Sequence, residues 1–197
     1  MISCILLSAG LSSRFGSPKA LATIGSLTVI EKLQQMLLKT SISEIIIVLG
    51  SEPEKIIPFI GKDKRISYVI NKDFLKGQTS SFKAGVKRSD INSRGYLLLP
   101  VDFPLVKTQT IQNLIDIFLE KKPRMLIPLY LGRKGHPPLF SAELRKHFLN
   151  LSDENGLNTL AKEDKSGEVS FIDTDDQGVI KSFNSPEEFE ALKKLIR

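Results

Sequence analysis

The chain is most constrained at its start, where a buried strand must open directly into a loop of small and basic residues. The stretch reads Met1-Ile-Ser-Cys-Ile-Leu-Leu-Ser-Ala-Gly10, then Leu11-Ser-Ser-Arg-Phe-Gly-Ser-Pro-Lys-Ala-Leu21. Residues 2–7 are a short, nearly continuous apolar run, the pattern of a strand covered on both faces in a parallel sheet. Gly10 and Gly16 then flank Ser12, Ser13 and Arg14, and Pro18-Lys19 closes the loop. Small residues let backbone N–H groups approach a phosphate chain, and Arg14 and Lys19 add positive charge beside them. Ligands of open α/β sheets bind at the carboxyl ends of strands, so a phosphate cradle is one reading of this loop. A plain strand-to-helix turn with incidental charges is the other.

Spacing excludes two common phosphate loops. A P-loop has four residues between its glycines, followed directly by Lys-Ser/Thr. Here five residues separate Gly10 from Gly16, and Ser17-Pro18 intervenes before Lys19. The dinucleotide fingerprint Gly-x-Gly-x-x-Gly fails because position 12 is serine.

The rest of the chain supplies the partners of that first strand. Apolar runs at 44–49, 66–70, 96–101, 124–131 and 168–172 read as further strands. Between them lie helical stripes at 28–39, 78–87 and 108–121, with a shorter helix at 52–60. Thr28 followed by Glu31 is a capping-box pattern. Residues 132–138 read as a loop, 141–149 and 156–163 as helices, and 186–196 as a closing helix with proline in its first turn. Strands alternating with helices predict an α/β fold, a mostly parallel sheet covered by helices. No repeat or linker divides residues 1–197, so one domain is expected, long enough to bury a full core.

Composition limits the partners. A net charge of +6 suits an anionic substrate, but the basic residues are dispersed and are not interleaved with aromatics. Nucleic acid is therefore not expected as a ligand. No apolar run approaches a membrane span, and the amino terminus lacks the basic start and cleavage site of a secretory signal. Cys4 is the single cysteine and falls inside the first predicted strand, which fits a reducing cytoplasm and a small buried side chain. Two histidines, His136 and His147, with one cysteine do not make a zinc site, and no nucleophile-elbow triad is present.

Four further places can carry chemistry. Asp102 follows a buried strand that Pro104 prevents from continuing, at the same sheet edge as the 8–19 loop. It can ligate a divalent cation shared with phosphate oxygens, or bond its own backbone in a turn. Gly77 with Thr79, Ser80 and Ser81 at a helix start offers N–H groups and hydroxyls, or ordinary capping. His136, in Gly135-His-Pro137, can bind substrate or fix its loop. Asn184 can lend its amide oxygen to a cation or cap the last helix. The acidic turn of Asp173, Asp175 and Asp176 reads as solvated.

Taken together, these pieces resemble the MobA-like nucleotidyltransferase family, in particular its molybdenum cofactor cytidylyltransferase branch. The family's Leu-Ala-Ala-Gly-x-Ser-x-Arg-Met-Gly-x-x-Lys pattern is matched by Leu7-Ser-Ala-Gly-Leu-Ser-Ser-Arg14-Phe-Gly16-Ser-Pro-Lys19. Residues 71–85 resemble its Asn…Gly-x-x-Ser-Ser…Gly segment, Leu99-Pro-Val-Asp102-Phe-Pro104 its Asp-x-Pro strand end, and Gly135-His-Pro137 its Gly-His-Pro loop. Asp153-Glu-Asn-Gly156 resembles a family turn more weakly.

The resemblance implies a three-layer α/β/α fold of the nucleotide-diphospho-sugar transferase-like, Rossmann-like form. It also implies transfer of a nucleoside monophosphate from an NTP to a phosphate acceptor, with release of pyrophosphate. By position, Leu7, Ser8, Ala9, Gly10 and Leu11, with Gly77 and Ser81, would bind the nucleotide. Arg14 and Lys19 would hold the triphosphate and offset charge as pyrophosphate leaves. Asp102 would bind Mg²⁺, Asn184 would be its second ligand, and His136 would contact the acceptor. Asn184 departs from the family, which usually has aspartate there, although relatives acting on sugars use asparagine. Ser8 stands where the family has alanine.

Ser8-Ala9-Gly10 is closer to the Ala-Ala-Gly of cytidylyl-transferring members than to the Ala-Gly-Gly of guanylyl-transferring ones, and the Gly-His-Pro loop agrees. CTP and molybdopterin are thus the favoured substrates, with a molybdoenzyme maturation chaperone as the implied protein partner. Cytidylyl or guanylyl transfer to a methylerythritol or sugar phosphate is the alternative, and a non-catalytic nucleotide-binding regulator is a third reading.

Overall fold

The computed structural model describes residues 1–153, 156–157 and 169–195. The chain opens with β1 (Ile2–Ser8), the two-residue strands β2 (Thr23–Ile24) and β3 (Leu27–Thr28), and α1 (Val29–Leu38). β4 (Glu44–Leu49), α2 (Pro53–Ile56), β5 (Ile66–Ile70), α3 (Gln78–Arg88) and β6 (Gly95–Pro100) follow. Then come α4 (Thr108–Lys121), β7 (Met125–Tyr130), β8 (Arg133–Lys134), β9 (Leu139–Ser141) and α5 (Arg145–Asn150). β10 (Val169–Asp173) and the helix α6 (Pro186–Lys193) complete the described elements.

All 7 residues of β1 are buried because helices cover both faces of the sheet. Side chains alternate across a strand, so β1 feeds two cores at once. Ile2, Cys4 and Leu6 pack with Ile30, Leu33 and Leu37 of α1 and with Ile111, Ile115 and Phe118 of α4. Ile5 and Leu7 pack on the opposite face with Phe82 and Val86 of α3 and Phe148 of α5. This is the expected three-layer α/β/α arrangement. Burying one such side chain contributes roughly 1.5–3 kcal/mol. Helix propensity differs by no more than ~0.7 kcal/mol between ordinary residues, so burial orients these helices.

The strands run in the order β10-β7-β9-β6-β1-β4-β5, with β8 joined to β7. β1 pairs in parallel with both β4 and β6. The chain therefore leaves β1 on one side for β4 and β5, then crosses back to place β6 on the other. That reversal opens a crevice at the carboxyl ends of β1 and β6, where doubly wound sheets bind ligands.

Local signals behave as the sequence predicts at α1. The Thr28 side chain accepts from the Glu31 N–H, and the Glu31 carboxylate accepts from the Thr28 N–H at 2.8 Å. The expected loop at 132–138, and the residues that follow it up to Ser141, differ from that reading. Arg133–Lys134 folds back on β7, and Leu139–Ser141 slots antiparallel between β6 and β7. Segments this short carry no periodic signal, and only the two neighbouring ladders make them strands. Asp176 also departs from its solvated reading. It is 1% exposed, and its carboxylate accepts from the Lys107 N–H, the Thr110 hydroxyl and the Gly178 N–H. A buried carboxylate is tolerable when donors surround it in this way.

Residues 158–163 of the helix expected over 156–163, and residues 154–155 of the turn at 153–156, lie outside the described residues. Among the described residues, no helix is long and apolar enough to cross a membrane. Burial pushes the Cys4 thiol far above its ordinary pKa, which keeps it protonated.

Candidate active site

The crevice is floored by the ends of β1 and β6. Leu7 pairs with Pro100, and the Val101 N–H continues the ladder onto the Leu7 carbonyl at 2.9 Å. Because the two strands end level, the loop after Ser8 and the turn at Asp102 emerge side by side. A cavity of about 330 Å³ opens there, within the range of small-molecule sites. Leu7, Ser8, Ala9, Gly10, Leu11, Arg14, Lys19, Gly77, Ser81, Asp102 and Asn184 all line it.

The 9–19 loop holds its shape by bonding to itself. The N–H groups of Phe15 and Gly16 both donate to the Ser12 carbonyl, at 2.8 and 3.0 Å, with Ser12 and Gly16 at positive φ. The Lys19 N–H donates to the Ser12 hydroxyl at 3.3 Å, which ties the loop's end to its tip. Arg14 is left exposed at the rim of the cavity. At the loop's base, Gly50 gives way to both Ala9 and Phe74. A Cβ there would lie 2.7 Å from that of Phe74.

Phe15 draws in the carboxyl-terminal segment. Its ring packs edge-on to Phe183 at 5.3 Å and Phe189 at 5.7 Å, while the Phe183 N–H donates to the Asp102 carbonyl at 3.3 Å. Asn184 is thereby set opposite Asp102. The Lys19 ammonium lies between them, donating to Asn184 Oδ1 at 2.8 Å and pairing with Asp102 Oδ2 at 3.4 Å. It also stands 5.5 Å from the centre of the Phe183 ring, a cation–π contact. Two hard oxygens converging on one ammonium are a donor set that also suits Mg²⁺ or Mn²⁺, completed by phosphate oxygens and water. Among the described residues no group of three or more His, Cys, Asp or Glu could hold a metal, so substrate oxygens would have to complete the shell.

The facing wall is residues 71–81. The Asn71 amide donates to Ser80 Oγ at 3.0 Å and Ser81 Oγ at 3.1 Å, while its oxygen accepts from the Asp73 N–H. Ser80 in turn donates to the backbone at Asp73 or Gly77. Gly77, at φ +95°, turns the chain into α3 in a conformation that a side chain would resist.

His136 does not line the cavity. Its ring stacks at 4.5 Å on Phe103, next to Asp102, and its backbone N–H donates to Val179 at 2.7 Å. Burial lowers its pKa, opposed by the Asp102 charge and a hydrogen bond with the Leu98 backbone. Nδ1 is buried without a hydrogen-bond partner among the described residues. The lining residues that sequence reasoning did not single out are Ile56, Phe74, Gln78, Pro100 and Val101 among others. Gln78, next to Gly77 at a helix start, could have been found. Pro100 and Val101 directly precede Asp102 in its strand-end motif, whereas Ile56 and Phe74 carry no signal, because only packing brings them to the crevice.

Comparison with known proteins identifies the family and the fold. The family model for the MobA-like NTP transferase domain matches residues 4–169. The chain is 23% identical to the purine catabolism protein PucB of Bacillus subtilis over 98% of this chain and 96% of that one. It is 29% identical to the molybdenum cofactor cytidylyltransferase of Escherichia coli over 71% of this chain and 70% of that one. A solved complex of Rv0371C from Mycobacterium tuberculosis with manganese superposes with a TM-score of 0.80 at 20% identity, covering 98% of each chain.

Proposed function

The chain belongs to the MobA-like NTP transferase family, and from that premise we propose that it transfers CMP from CTP to a phosphate-bearing small molecule, releasing pyrophosphate. The observation that carries this reading is the meeting of Lys19, Asp102 and Asn184 in a cavity rimmed by Arg14. A polyphosphate tail entering there meets two side-chain cations and two oxygen donors at once.

The nucleotide would lie along Leu7, Ser8, Ala9, Gly10 and Leu11, with Gly77 and Ser81 forming the opposite wall. Arg14 and Lys19 take the β- and γ-phosphates and orient the α-phosphorus toward the acceptor. An acceptor phosphate oxygen attacks that phosphorus in line, the bond to the bridging β-phosphate oxygen breaks, and pyrophosphate leaves with its negative charge offset by the same two side chains. Asp102 and Asn184 would hold a divalent cation, which supplies charge neutralisation on the phosphate oxygens. A phosphate monoester has a second pKa of ~6, so the nucleophile is already ionised at neutral pH and needs no general base. The manganese bound to Rv0371C supports a divalent ion in this fold. His136, packed on Phe103 beside Asp102 and off the cavity lining, would act on the acceptor only indirectly, by holding the Asp102 turn in place.

The name of the Escherichia coli molybdenum cofactor cytidylyltransferase favours molybdopterin as the proposed acceptor, and a molybdoenzyme maturation chaperone is the partner proposed with it. The whole-length likeness to PucB favours a second reading, in which the same transfer serves a different acceptor. Thermal stabilisation by CTP, GTP, ATP and UTP with Mg²⁺ tests the nucleotide. Selective stabilisation by CTP is expected, and selective stabilisation by GTP would overturn it. Pyrophosphate release with molybdopterin, against a panel of sugar and methylerythritol phosphates, tests the acceptor.

A further inference from the structure

The ammonium of Lys19 sits on the two oxygens that the proposed cation needs. It is 2.8 Å from Asn184 Oδ1 and 3.4 Å from Asp102 Oδ2, closer to both than a second cation on those donors would tolerate. A divalent ion bonded to these oxygens at ~2.0–2.1 Å would touch the ammonium, and like charges at contact repel. The donors bring one formal negative charge between them, which the lysine already cancels. We propose that Lys19 is a built-in occupant of the metal donors: before nucleotide binds it closes the site to free divalent cations, so metal and triphosphate load together. This rests on the metal reading given above and adds an order of binding to it.

The surrounding structure supports a hand-over by the side chain alone. The Lys19 backbone is fixed by its N–H bond to Ser12 and by the short turn over Lys19–Leu21, where Ala20 is 1% exposed. The four-carbon stem is the movable part, and the head keeps a contact with the Phe183 ring. An incoming triphosphate offers the ammonium several anionic oxygens in place of one carboxylate and a neutral amide. The lysine turns to them, and Asp102 and Asn184 are freed for the cation that the phosphates carry. One residue thereby serves two states, neutralising Asp102 in the first and the departing pyrophosphate in the second.

Mn²⁺ binding followed by water-proton relaxation in the full chain tests this, since the method separates free, nucleotide-bound and protein-bound ion. Wild type, Lys19→Met and Lys19→Met/Asp102→Asn are compared without nucleotide, after thermal melts confirm folding. Lys19→Gln replaces the methionine variant if that one does not fold. Without nucleotide, wild type should bind Mn²⁺ at least ten times more weakly than Lys19→Met, and Asp102→Asn should abolish the gain. With CTP, wild type should form a ternary complex whose relaxation differs from that of Mn²⁺–CTP. Equal nucleotide-free binding by wild type and the lysine variant, alongside a wild-type ternary complex, would overturn the hand-over and leave the metal reading standing. Absence of any ternary complex with CTP or GTP would remove the metal reading and this inference with it.

Discussion

The 9–19 loop and the 71–81 segment look alike as sequence, each combining glycine, serine and lysine after a strand, and both line one cavity. Their polar groups are used in opposite ways. Asn71, Ser80 and Ser81 bond to one another and to nearby backbone within 10 residues, so this segment is a closed, rigid wall. Lys19 instead finds its partners 83 and 165 residues away, on two other elements. A buried hydrogen-bond network that is complete holds shape and has little left to offer a ligand. Charged groups gathered from distant parts of the chain have no local reason to be together, and their meeting is the better sign of chemistry.

That contrast predicts different damage on each side. Lys19→Ala should lower turnover by about 10²–10³-fold, the usual loss when one charge-stabilising donor is removed. Its melting temperature should move by no more than about 2–4 °C, the shift for ~1 kcal/mol in a chain of this size. Pyrophosphate release and a thermal melt measure both, and near-normal turnover of the folded variant would remove Lys19 from the reaction.

Asn71→Ala should show the reverse pattern. Leaving the buried Ser80 and Ser81 groups without this partner should cost roughly 1–3 kcal/mol in urea denaturation, raise the KM for nucleotide and leave kcat nearly intact. A collapse of kcat at unchanged stability would erase the distinction between the two regions. Thr28→Ala calibrates a purely structural polar cluster. Loss of its capping box should cost about 1 kcal/mol and leave both kinetic constants unchanged.

The smallest effect belongs to the loop at 135–138, which neighbours Asp102 without lining the cleft. Because burial lowers the His136 pKa in the folded chain, the unfolded chain takes up its proton first as pH falls. Stability should therefore be undiminished by this group above about pH 6.5 and decline as pH drops below it, toward the folded value. Melting temperatures of wild type and His136→Gln at pH 7.5 and 5.5 check the sign: the acid drop should be smaller in the variant.

Much of this was legible beforehand. Long apolar runs announced β1, β4 and β6, since a strand buried on both faces can contain little else. Thr28 and Glu31 announced α1, since capping is settled within four residues. The candidate site was visible as separate fragments around Lys19, Asp102 and Gly77. β8 and β9 were not visible, because strands of two or three residues exist only by virtue of their neighbours. Nor was the burial of Asp176, which depends on donors from the start of α4.

The sequence by itself determined the alternation of strands and helices, the caps and the family, all of which are written in local pattern or in matched motifs. Tertiary structure alone decided that Asn184 stands across from Asp102 with a lysine between them. No local rule reaches over 165 residues. That distance is closed by the packing of Phe15 against Phe183 and Phe189 and by the level ending of β1 and β6.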